Sequence, residues 1–199
     1  MLHSHRPMSD EPGTQWNQRH AEAEGIGEPA EVLLRNLQLL PSSGVALDLA
    51  CGRGANALRL VEAGLEVHAW DRSPVAIQRL NAEAQARGLS IRTQVRDVLA
   101  QPPAANSFDL ILVSHFLERE LLPRLATALR PGGLLFYQTF IQEVMLNHGP
   151  KCSQWRLANN ELLHAFPGLR LHYYREEGAR ARPGSPLADM AMLVASREA

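Results

Sequence analysis

Apolar residues along this chain fall in short blocks whose internal rhythm switches between strand-like and helix-like. Val45 to Leu49 is an apolar run interrupted by Asp48, and "FDLILVS" (108–114) is nearly unbroken, the pattern of strands covered on both faces. "LEVHAW" (65–70), "SIRTQV" (90–95) and "GLLFYQTF" (133–140) predict three more strands, the second alternating in period two. Helical spacing fills the gaps. Ala55 to Ala63 predicts a helix that Gly64 ends. "SPVAIQRLNAEAQARG" (73–88) predicts another, with Ser73 as cap, Pro74 at its first position and Gly88 at its exit. Leu117 to Leu129 predicts a helix that Pro123 kinks or divides, and "EPAEVLLRNLQLLP" (28–41) one opened by Pro29 and closed by Pro41. The C-terminal part differs. A long polar connection leads to a short helix, "NNELLHAF" (159–166), then to the strands "LRLHYYREE" (169–177) and "MAMLVASRE" (190–198) with no helix between them.

Alternating strand and helix units predict an α/β, doubly wound, Rossmann-like sheet that is mostly parallel, with helices on both faces and right-handed crossovers. The last two strands predict an antiparallel hairpin. Ligands of such sheets sit at the carboxyl ends of the strands, where strand order reverses. The 199 residues suit one domain. We place it at 14–199, with 14–40 as an N-terminal helical cap and the polar, turn-rich residues 1–13 as a disordered tail.

Composition narrows the chemistry. The net charge of −1 implies no general polyanion-binding surface, so nucleic acid is not favoured as a partner. No apolar run approaches the ~18 residues of a spanning helix, so no membrane partner is expected. Two cysteines, Cys51 and Cys152, are too few for a disulfide scaffold, and a reduced, cytoplasmic setting is expected. The eight histidines are scattered with no H-E-x-x-H, so no metal site is expected, and neither a P-loop nor a G-x-S-x-G elbow occurs.

The loop "GRGANA" after the first strand fits the loose G-x-G-x-x-G/A dinucleotide pattern, which also serves as a plain tight turn. Asp48, just upstream, bears on the choice of ligand. A pyrophosphate needs N–H donors and a helix N-terminus. A carboxylate about 5 Å away would repel it by roughly 3 kcal/mol at an effective dielectric near 20. A cationic ligand reverses the sign, and S-adenosylmethionine carries a sulfonium, an ammonium and no phosphate. Asp71, 19 positions after Gly52, ends the second strand and suits a ribose diol, of NAD or of S-adenosylmethionine alike. Asp97, after the third strand, suits an adenine amine, with the Val98 N–H for a ring nitrogen. Asp71 and Asp97 also have a plain reading as turn residues, and Asp48 as a group that only hydrogen-bonds loop amides.

"LDLACGRG", "AWDRS", "RDV" and "FDLILVSHFL" together resemble the successive signature segments of class I S-adenosylmethionine-dependent methyltransferases, over roughly residues 30 to 140. Asp48, Ala50, Gly52 and Gly54 meet the family pattern D/E-x-G/A-x-G-x-G. The resemblance implies seven strands in the order 3-2-1-4-5-7-6, strand seven antiparallel. It implies S-adenosyl-L-methionine as cofactor and a site drawn from Asp48, Ala50, Cys51, Gly52, Gly54, Asp71, Arg72, Asp97, Val98 and Ser114. "WNQRH" (16–20) is similar to a W-x-x-R-aromatic segment of the tellurite-resistance and thiopurine branch, and residues 149–171 are similar to the C-terminal half of tellurite-resistance-type enzymes. That similarity implies a lid with Trp16 and Arg19 facing the cofactor, although His20 departs from the aromatic.

Methyl transfer is an in-line displacement for which the protein aligns the acceptor and excludes water. The expected acceptor is a small molecule: a thiol, a chalcogen oxyanion such as tellurite, or a small amine. His115 is the candidate base and Arg119 a second catalytic candidate. Asn147, His148, Lys151 and Arg156 lie in the long connection, a candidate substrate lid, where Lys151 and Arg156 read either as holders of an anionic substrate or as ordinary surface charges. An NAD-dependent oxidoreductase using the same loop and a non-catalytic cofactor-binding module are the competing readings.

Overall fold

Seven strands form one sheet in the computed structural model of the chain, which describes residues 14–143, 146, 149–185 and 187–198. They are β1 (Val45–Leu49), β2 (Glu66–Asp71), β3 (Arg92–Val95), β4 (Phe108–Ser114), β5 (Leu129–Phe140), β6 (Leu169–Glu176) and β7 (Met190–Arg197). Their order is 3-2-1-4-5-7-6. The first five run parallel, and β7 is antiparallel to both β5 and β6. This is the topology the resemblance implied, with the hairpin read from the absence of a helix between the last two strands. The expected tail at 1–13 and the lid candidates Asn147 and His148 lie outside the described residues.

The unbroken apolar run of β4 is explained by two covered faces. Leu110 and Leu112 join Ala46 and Val67 beneath α3 (Ala55–Glu62) and α4 (Pro74–Ala86), where Leu58, Leu60, Ile77 and Leu80 pack. Ile111 and Val113 face the other way, with Leu47 and Leu49, toward Leu122 and Leu125 of α5 (Leu122–Ala128) and Leu162 of α6 (Glu161–His164). No helix lies between β3 and β4. There the Arg96 guanidinium covers the Trp70 ring at 3.8 Å and is held by the carbonyls of Gln101 and Pro102.

Two helices depart from expectation. The predicted helix at 28–41 is only α2 (Glu31–Leu34) followed by a 3₁₀ turn at Leu37–Leu39. Asn36, buried, leaves helical geometry at φ −129° and turns its side-chain amide back onto the Val32 carbonyl. The helix predicted from Leu117 begins later, because Pro123 sits in the first turn of α5 and a 3₁₀ turn at Arg119–Leu121 precedes it.

α4 is punctuated as the sequence requires. The Ser73 hydroxyl accepts the Ala76 N–H at 3.2 Å, Pro74 opens the helix, and Gly88 follows its end at φ +67°. Ser73 also bonds Asn17 of α1 (Thr14–Glu22) at 2.6 Å. Ser73→Ala is expected to cost about 1–2 kcal/mol through the lost cap and cross-helix bond. A urea titration should show a lower midpoint with an unchanged slope.

Candidate active site

The chain leaves β1 through a left-handed turn: Ala50 at φ +55°, Gly52 at +53° and Gly54 at +87°. A side chain at Gly54 would overlap Leu80, so glycine is required there for space as well as for φ. Two carboxylates hold the turn. Asp48 accepts the Ala57 N–H at 3.0 Å, pinning the first turn of α3. Asp71 accepts the Gly52 N–H at 2.8 Å through one oxygen and the Ser73 N–H at 2.8 Å through the other. The loops after β1 and β2 are thereby tied into one cradle.

The electrostatic reading of Asp48 needs correction. Its side chain is fully buried, and its Oδ1 has no hydrogen-bond partner among the described residues. Burial pushes its pKa up to about 8, against the Ala57 amide and with a smaller push from Asp71. Near pH 7 the group is mostly neutral, so the roughly 3 kcal/mol repulsion assumed for a full charge does not act in this state. Several of the loop amides are instead engaged within the protein. The N–H groups of Cys51, Gly52, Gly54 and Ala57 are already taken by the Trp70 carbonyl, Asp71, the Cys51 carbonyl and Asp48. A phosphate at this turn would have to compete for them.

The remaining candidates spread along the same edge. β3 stops at Val95, and Asp97 follows it as an exposed turn residue whose Oδ1 accepts the Leu99 N–H at 2.9 Å; Val98 beside it is buried. Arg72 is exposed. Ser114 ends β4 and accepts the Asn56 side-chain amide at 3.0 Å. His115 is exposed, with φ +56°, its N–H on the Gln138 carbonyl at 2.8 Å and its ring 5.3 Å from Phe140. A non-glycine residue in that conformation at a strand end is a mark of functional sites. Arg119 is not directed at the strand ends: its guanidinium is bound by Glu161 and by the carbonyls of Gln154 and Arg156. Arg156, read as a possible surface cation, is buried, donates to the Pro150 and Ile141 carbonyls, and lies 5.3 Å from the Phe140 ring centroid. Among the described residues, no three His, Cys, Asp or Glu side chains converge as metal ligands.

Five further residues shape the site in roles that the sequence did not assign to them. His20, rather than Trp16 or Arg19, approaches the glycine loop, its ring 3.3 Å from where a Gly52 Cβ would stand. Trp16 is partly exposed, stacked on His20 at 6.3 Å, with Arg19 over its ring. Burial lowers the His20 pKa, against the pull of Asp71. Arg53 and Arg79 take carbonyls of the last turn of α1 and of the residues after it: Arg53 those of Glu24 and Gly25, Arg79 those of His20, Ala23 and Gly25. Asn56 and Gln138 accept the N–H groups of Ala30 and Val32 and seat α2 over the ends of β4 and β5. Polar residues on buried faces, Asn56 in the first turn of a helix and Gln138 inside an apolar strand, were the available signal.

Residues 46–133 match the profile of a family described as a methyltransferase domain. Those residues are a methyltransferase domain, on the class I fold that the resemblance implied. It is 34% identical over 110 residues to tRNA 5-carboxymethoxyuridine methyltransferase of Escherichia coli K12, covering 51% of this chain and 42% of that protein. It is 37% identical over 101 residues to demethylmenaquinone methyltransferase of Thermus thermophilus, covering 47% of this chain and 46% of that protein. The chain thus matches less than half the length of these curated relatives. TehB from Haemophilus influenzae shares the fold, with a TM-score of 0.68 at 22% identity over 83% of this chain and 61% of that one.

The residues of the methyltransferase domain fit its cofactor. Each Asp71 oxygen accepts one amide and so keeps acceptor capacity for a diol. Gly52 leaves the cradle without a side chain beneath His20. The buried Oδ1 of Asp48, without a hydrogen-bond partner among the described residues, belongs to the residue that pins the start of α3.

Asp48 also predicts a pH dependence. Its folded pKa of about 8 lies above the 3.8 of an ordinary aspartate, so the native state holds its proton more tightly than the unfolded chain. This contribution to stability is complete below about pH 4 and is lost as pH rises through about 8. Comparing urea unfolding of wild type and Asp48→Asn at pH 5.5 and 8.5 should show the wild type losing more stability than the variant, by about 1 kcal/mol or more.

Proposed function

We propose that the chain transfers the methyl group of S-adenosylmethionine to a small-molecule nucleophile: a thiol, a chalcogen oxyanion such as tellurite, or a small amine. The observation that carries this reading is the cradle, where Asp48 and Asp71 occupy the Ala57 and Gly52 amides, Asp71 ties the exits of β1 and β2 together, and Asp71 keeps capacity for a ribose diol. S-adenosylmethionine supplies the activated methyl group and the leaving group. The chain's residues do the rest. Asp71 accepts from the ribose, Asp97 and the Val98 N–H serve the adenine, and Ala50 to Gly54 lie along the methionine portion, with Arg72 and Ser114 at the margins. α1 closes the cofactor side through His20, with Trp16 and Arg19 outside it. His115 is the base for acceptors that must lose a proton; a thiolate or reduced chalcogen needs little such help.

A small acceptor is favoured by the net charge of −1 and by covers on both sides of the strand ends, α1 on one and the segment around Arg156 on the other. The two curated relatives are named for different acceptors, tRNA and demethylmenaquinone. Among the described residues no helix is long and apolar enough to cross a membrane, and we place the reaction in the cytoplasm. The similarity of residues 149–171 to tellurite-resistance-type enzymes makes tellurite the first acceptor to try.

Calorimetric titration should show S-adenosylhomocysteine binding and no NAD binding. Asp71→Ala should weaken that binding by about 1.5–3 kcal/mol through lost charge-assisted hydrogen bonds. Unchanged affinity in a folded variant would remove the ribose assignment. Release of S-adenosylhomocysteine should then be followed with tellurite, simple thiols, small amines and bulk tRNA. Turnover with tRNA alone would replace the small-molecule reading, and binding without turnover on any acceptor would favour a non-catalytic module.

A further inference from the structure

We propose that Arg119 is a positioning residue that clamps the acceptor-side wall of the site against the end of β4. The proposal rests on the methyltransferase reading for its meaning, though not for its geometry. Arg119 stands five residues after Ser114, on the loop that carries His115. Four of its hydrogen bonds reach one segment of the C-terminal connection: Nε to Glu161 Oε1 at 2.6 Å, Nη2 to Glu161 Oε2 at 2.9 Å, Nη1 to the Gln154 carbonyl at 2.5 Å and Nη2 to the Arg156 carbonyl at 3.0 Å. Glu161 is held in turn by the Ala158 N–H at 2.7 Å. An exposed ion pair by itself contributes little. Here the planar fork meets a carboxylate bidentately and reaches two carbonyls as well, a network that lysine could not reproduce.

The clamped segment leads back into the site. Arg156 is buried and bound to the Pro150 and Ile141 carbonyls, its guanidinium lies over Phe140, and the Phe140 ring meets that of His115. Gly149 allows the connection to pass close over Phe140, since a Cβ there would overlap the ring. Ile141 and Leu157 are bridged, with the Leu157 N–H on the Phe140 carbonyl at 2.9 Å. Arg119 therefore sits at the start of a contact path that ends on the candidate base: Arg119, the 154–156 segment, Arg156, Phe140, His115. It touches the wall and acts on the chemistry through that wall.

The experiment uses the full chain and needs no identified acceptor. Arg119→Leu, Arg119→Lys and Glu161→Gln are compared with wild type by three readouts. The first is tryptic cleavage after Arg156, which its burial protects. The second is the NMR titration of the His115 ring, assigned with His115→Gln. The third is S-adenosylhomocysteine binding. Arg119→Leu should speed cleavage after Arg156 by about tenfold or more through local opening, and should shift the His115 titration. S-adenosylhomocysteine affinity should stay within about twofold. Arg119→Lys and Glu161→Gln should fall between, which keeps the test alive if Arg119→Leu does not fold. Faster cleavage with an unmoved His115 titration would make the clamp merely structural and overturn the proposal, as would wild-type behaviour in all three variants. Failure of the wild type to bind S-adenosylhomocysteine would instead count against the methyltransferase reading.

Discussion

A turn with three residues at positive φ has no strand or helix ladder of its own to hold it, and the rest of this site depends on how that turn is held. The solution is a pair of buried aspartate side chains, Asp48 and Asp71. Asp48 fixes the start of α3 through Ala57, and Asp71 joins Gly52 to Ser73, so the exits of β1 and β2 move as one body. The same bonds that shape the turn remove amides from the pool available to an anionic ligand. One set of interactions thus sets the geometry of the cradle and leaves fewer of its amides open to an anion.

Around this centre the chain is fastened by arginine forks on backbone carbonyls. Arg53 and Arg79 hold the exit of α1, Arg119 and Arg156 hold the C-terminal connection, Arg96 holds the helix-free crossover above Trp70, and Arg197 reaches the carbonyls of Thr127 and Leu129. Each reaches at least two carbonyls. A compact ammonium on a flexible stem cannot span two carbonyls in a fixed plane, which gives a physical sense to a chain in which Lys151 is the single lysine among twenty basic residues. Irregular segments supply their own carbonyls too sparsely to be held by regular ladders, and these forks take over that task.

Much of the fold was legible because its signals are local. β1 and β4 have the limits read from their apolar runs, and α4 has the cap, opening proline and exit glycine expected of it. Those features depend on sterics within a few residues. The misreadings occur where a side chain finds a backbone or ionic partner that the apolar pattern does not show, whether nearby or far along the chain. Asn36 breaks an otherwise well-patterned helix once its amide is buried against the Val32 carbonyl. Arg156 reads as a surface charge until the connection folds over it, and Arg119 reads as a reactive group until Glu161, 42 positions away, arrives.

The order of blocks and the glycine turn, both written in periodicity and backbone sterics, were enough to determine a doubly wound sheet and to single out its carboxyl edge as the candidate site. Residue types at the strand ends also named most of the cradle. Only the tertiary structure decided whether Asp48 carries a charge, which residue of α1 meets the turn, and what Arg119 binds. Ionisation follows burial, and burial is a property of everything packed around a group rather than of its neighbours in the chain.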